Sequence, residues 1–75
     1  MTGKTALIIQ DKKNDIRCEP YKQDQETKKW AGAANLYCDG VFSETLLSSQ
    51  TIFKSPEASV TFMENVVQKV RSIFA

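Results

Sequence analysis

The sequence predicts an α+β domain: a small antiparallel sheet of three to four strands in meander order, packed against one C-terminal amphipathic helix. Three observations carry that expectation. Short β-branched and aliphatic runs alternate with polar turn clusters, an Asp39-Gly40 dipeptide joins two of these runs, and the last twenty residues place apolar side chains at helical spacing behind a Ser-Pro-Glu start. The expected order is β-β-β-β-α, in one domain over residues 1–75, because so short a chain cannot enclose two cores.

The first expected strand is Thr5 to Gln10 (TALIIQ), which is too short for an independent helix and is followed by the polar cluster DKKND. Ile16 to Tyr21 (IRCEPY) alternates in the manner of a strand with one buried face, and Pro20, lacking an amide hydrogen, directs it to an edge or ends its pairing. The polar run KQDQETKK that follows reads as an exposed loop. In Trp30 to Cys38 (WAGAANLYC) the period of two sets Trp30, Ala34, Leu36 and Cys38 on one face and Ala31, Ala33, Asn35 and Tyr37 on the other. Asp39-Gly40 suits a two-residue type I′ turn, which needs positive φ at both positions. It should therefore return the chain antiparallel into a strand within Val41 to Phe53, where Ser48-Ser49 marks a bulge or a break and the register is open.

The helix has a start signal with a mechanism: Ser55 can accept first-turn amides, Pro56 is pre-set for the first helical position, and Glu57 complements the positive end of the dipole. At 3.6 residues per turn its apolar residues fill an arc of about 160°, wider than the stripe of about 100° that one supporting surface needs. The expected centre is Val66, Val70 and Met63. The flank of Val60, Val67 and Phe74 is left for the sheet's edge, or for a second molecule in a homodimer.

The composition removes several functions. The chain has no histidine, the commonest general base and the usual partner of a nucleophilic Ser or Cys, so the expectation is a non-enzyme. Cys18 and Cys38 lack the spacing and the further ligands of a structural zinc site, and both fall on expected core faces where a thiol acts as a small hydrophobe. No metal or cofactor is expected. Gly3-Lys4-Thr5 lacks the first glycine and the flanking strand and helix of a phosphate-binding loop, and Glu19, Asp24, Glu26, Asp39 and Glu44 show no spacing that selects a catalytic pair. Ten basic and nine acidic residues leave a net charge of +1, which steers no anionic partner. The apolar run Ala6 to Ile9 is too short for a signal peptide or a membrane span, so a cytoplasmic location with reduced thiols and no membrane contact is expected.

The functional expectation is a small protein-interaction module that binds itself or another protein, with Val60, Val67, Phe74, Tyr37 and Ala33 as candidate interface residues. The alternative is a weak single-stranded nucleic-acid-binding domain. It would use Lys12, Lys13, Arg17, Lys28 and Lys29 with the aromatics Tyr21, Trp30 and Tyr37, but acidic residues interleave with those bases and dilute the field.

Overall fold

A computed structural model describes residues 13–74 of the chain. Among them are three strands and one helix, β1 (Asn14–Gln23), β2 (Trp30–Cys38), β3 (Val41–Ser48) and α1 (Pro56–Phe74). The strands form one antiparallel sheet in the order β1-β2-β3, so the class is α+β and the connection is a meander. The strand expected at Thr5 to Gln10 lies outside the described residues, and within them there is no fourth strand.

The two hairpins close by different local chemistry. Asp39 and Gly40 both take positive φ, 52° and 80°, as the type I′ turn requires. Between β1 and β2, the Asp24 carboxylate accepts hydrogen bonds from the Thr27 amide and hydroxyl, both at 2.8 Å, and Lys28 carries the turn's left-handed residue at φ 61°. Asp24 thereby replaces backbone partners that a loop cannot supply, and its carboxyl is held below the usual range, chiefly by the Thr27 amide.

The sheet is irregular at three points. Register shifts fall between Pro20 and Lys22, between Ala34 and Asn35, and between Leu36 and Tyr37, which makes Tyr21, Leu46 and Ser43 the extra residues. β1 is longer than the alternation of Ile16 to Tyr21 suggested, because the chain bulges at Tyr21 and then resumes pairing at Lys22 and Gln23. β3 is shorter than Val41 to Phe53. The chain leaves the ladder after Ser48, where the Ser49 hydroxyl and amide instead cap Gly32, and rejoins only as a single bridge between Phe53 and Trp30.

α1 begins as its sequence signals dictate, with the Ser55 hydroxyl accepting the Ala58 amide at 3.1 Å. Its phase differs from the expected one. The buried helix residues are Ser59, Met63 and Val67, while Val66 and Val70 are only partly covered. Gly32 explains the rotation: a Cβ there would stand 2.4 Å from the Ser59 carbonyl oxygen and 2.9 Å from Met63 Cγ, so the helix backbone rests directly on the β2 backbone. Helix positions that can approach so closely must be small or flexible. Ser59 qualifies because its hydroxyl turns back to donate to the Pro56 carbonyl at 2.6 Å, leaving no unpaired polar atom in the contact. The core is completed by Ala34, Met63 and Val67, with Ile16, Cys18, Leu46, Leu47 and Val70 packed around them.

Candidate functional site

The helix covers only part of one sheet face. Ser59 lies over Gly32, and Val67 and Arg71 share a cavity of about 180 Å³ with Ile16 and Cys18, which stand across from Leu36 and Ala34. α1 therefore runs along β2 toward the Asp39-Gly40 turn, over β1 and β2, with Glu64, Gln68 and Arg71 on its β1 side. Its other flank faces β3. Phe62 stacks on Phe53 with ring centroids 5.0 Å apart, and Phe53 bridges to β2 from the β3 side. At about 100° per residue, Phe62, Val66, Lys69 and Ile73 share that flank.

The result is a corner between α1 and β3 with apolar walls. By register, Val41, Glu44 and Leu47 stand opposite Cys38, Leu36 and Ala34 and so share the helix-side face of the sheet. Val41 is 68% exposed, Ile73 70% and Phe62 43%. Large apolar side chains are thus left in water beside a core half of whose buried apolar members are alanines.

The opposite, helix-free face carries a polar network. Glu19 accepts hydrogen bonds from the Tyr37 hydroxyl at 2.6 Å and from the Asn35 amide at 3.0 Å, and Thr45 donates to the Asn35 carbonyl oxygen at 2.8 Å. The Arg17 guanidinium lies 4.2 Å from the Tyr37 ring centroid and pairs with Asp15, and Phe42 meets the same ring edge-on at 5.8 Å. The donated bonds from Asn35 and Tyr37, with help from Arg17, hold the Glu19 carboxyl below its usual range. The bond to Glu19 in turn pushes the Tyr37 hydroxyl up. A carboxylate held ionised by two donors on one of its oxygens is poorly suited to shuttling protons at neutral pH.

The two thiols lie apart on the sheet. Cys18 stands opposite Ala34 and Cys38 opposite Asn14. The two are therefore separated by four strand positions, about 13 Å, where a disulfide tolerates about 7 Å between Cα atoms. Cys38 donates a weak hydrogen bond to Asn14. Burial, and then the Glu64 charge, raise the Cys18 thiol above its ordinary value despite the opposing pull of Arg71, which leaves little thiolate for nucleophilic or metal-binding work. No group of three or more His, Cys, Asp or Glu side chains among the described residues is placed to hold a metal ion. A concavity of about 660 Å³ beside the Asp24 turn is lined by loop residues such as Gln25, Glu26 and Thr27, with Thr51 and Ile52 across from them.

The candidate interface residues fall in different places. Val67 is 4% exposed and Ala33 fully buried, so both are spent on the monomer, whereas Phe74 is exposed and Val60 and Tyr37 are partly covered. Leu46 and Leu47, which the open register left unassigned to a face, pack toward the core. Phe42, Phe62 and Ile73 carry more open apolar surface than the sequence reading gave them, since the helix phase and the β3 bulges that expose them depend on tertiary packing. The bases named for nucleic acid do not gather. Lys13 precedes β1, Lys28 and Lys29 follow it at the far end of a ten-residue strand, Arg17 is engaged by Asp15 and Tyr37, and Lys12 lies outside the described residues.

No helix of the described residues is long and apolar enough to cross a membrane. Comparison with protein-family models, with curated proteins and with solved structures finds no match to this chain.

Proposed function

We propose that this chain is a small non-enzymatic protein-interaction module of the cytoplasm, acting through self-association or through another protein. The observation that carries the reading is the exposed apolar surface around β3: Val41, Phe42, Phe62 and Ile73 are each between 43% and 70% exposed, on a domain that fully buries few large side chains. A small sheet with one helix has little core to spare, so leaving four large apolar groups in water is costly unless a second surface takes them. The non-enzymatic part is supported by the missing histidine, the firmly ionised Glu19 and the raised Cys18 thiol.

The test is light scattering coupled to size-exclusion chromatography on the full chain recovered from its native extract under mild conditions. The expected result is a mass above that of one chain, which falls to one chain when the contacting face is charged, by Ile73→Asp if that is the helix side of the sheet or by Phe42→Asp if it is the helix-free side. A single-chain mass for the unsubstituted protein at native abundance would count against the reading.

A further inference from the structure

We propose that the corner between α1 and β3 is a two-fold interface that takes a second copy of this chain, with the α1 flank of each protomer lying on β3 of the other. The inference rests on the interaction reading above and names its partner and its register. Sheet width supplies the first argument. One helix covers β1 and β2, whereas among the described residues the helix-side residues of β3, Val41, Glu44 and Leu47, have beside them the helix flank of Phe62, Val66, Lys69 and Ile73, exposed except at the partly covered Val66. That corner is the shape another helix flank fills, and an isologous contact uses it twice.

Charge supplies the second argument. Glu44 is the charged residue among the helix-side residues of β3, and Lys69 the charged residue on the facing α1 flank of Phe62, Val66, Lys69 and Ile73, since Arg71 lies on the β1 side of the helix. The sheet half of the corner is acidic and the helix half basic, so the surface complements itself when turned about a two-fold axis.

Register supplies the third. Moving from Ser59 above Gly32, ten helix residues rise about 15 Å, which at about 3.3 Å per strand residue brings Lys69 level with Leu36. Glu44 is the β3 residue opposite Leu36, so Lys69 and Glu44 share one level. A two-fold axis at that level makes the helices antiparallel and sets the partner's Lys69 against Glu44. The same axis places the partner's Val66 over Val41 and the partner's Ile73 over Leu47. Two apolar pairings fall out of an axis position chosen from the charge pair alone.

The experiment is sedimentation equilibrium of the full chain with a charge exchange and a cross-link. The expected result is a reversible dimer that Lys69→Glu or Glu44→Lys each weakens by about tenfold or more, and that the combined exchange restores to within about threefold of the original. In a Cys18→Ser, Cys38→Ser background, Val41→Cys with Val66→Cys should give a dimer covalently joined by a short bis-maleimide. Ile73→Asp, at a mostly exposed position, should leave the far-ultraviolet circular dichroism unchanged while abolishing the dimer.

A monomer at millimolar concentration overturns the proposal. So does a dimer indifferent to Lys69, Glu44 and Ile73 but broken by Phe42→Asp, which would place the contact on the helix-free face and leave the broader interaction reading standing. A chain held in a larger complex in extract yet monomeric when pure overturns self-association alone.

Discussion

β2 and β3 are neighbours of similar length, the one with small apolar residues and the other with larger ones among polar neighbours, and they live in different solvents. In β2, Ala31 to Ala34 are fully buried and Leu36 is 7% exposed, while the first five residues of β3, including Val41 and Phe42, are all exposed. Side-chain size is the difference that matters. Gly32 and the alanines of β2 let a helix backbone settle on the strand, so the one helix among the described residues is drawn there and not to β3. Burial here follows the strand that permits close approach, and the larger side chains of β3 are left outside as a consequence.

The sharpest way to break this contrast is to deny β2 its close approach. Gly32→Val drives a branched side chain into the Ser59 carbonyl and Met63, and because the nearest atoms are backbone the helix itself must move. Urea denaturation should show a loss of about 3 kcal/mol or more. Met63→Ala removes the largest fully buried side chain and should cost about 2–4 kcal/mol by the same measurement.

The helix-free face gives a smaller, pH-dependent effect. Glu19 has a lowered folded-state pKa, so its bonds to Asn35 and Tyr37 contribute stability above its unfolded value, near the ordinary 4.5, and lose it as pH falls through the folded value. Between pH 5 and pH 3 the unsubstituted chain should lose stability that Glu19→Gln does not lose. The difference is below about 1 kcal/mol, because solvent screens this site. Val41→Thr in β3 should be the mildest change, within about 0.5 kcal/mol for the dilute monomer, since that side chain is 68% exposed.

The elements built by local chemistry were legible in the sequence. Trp30 to Cys38 is β2 with the expected bounds, Asp39 and Gly40 take the φ values their types favour, and Ser55 caps a helix that starts at Pro56. What was not legible depends on residues far apart in the chain. The exit of β3 at Ser48 depends on Ser49 finding Gly32, and the phase of α1 depends on the same glycine. A periodicity argument centres an apolar arc on its own mean, so it placed Val66 inward and Val67 on a flank. The structure instead centres the helix on Ser59 and Met63, a polar residue and a flexible one that hydropathy alone does not rank first.

The network of Arg17, Glu19, Asn35, Tyr37 and Phe42 also escaped the sequence reading. Its members are joined across strands only once the β1–β2 and β2–β3 registers, with their bulges, are known.

The central claim is that α1 rests on β2 through Gly32 and leaves its β3 flank open for a second chain. Backbone amide hydrogen exchange of the full chain, at low and at high protein concentration, tests both halves together. The account requires β2 amides to be the slowest at every concentration, and the β3-side helix residues around Val66, Lys69 and Ile73 to gain protection only as concentration rises. Equal protection of β2 and β3 in the dilute chain, or a helix flank indifferent to concentration, would contradict it.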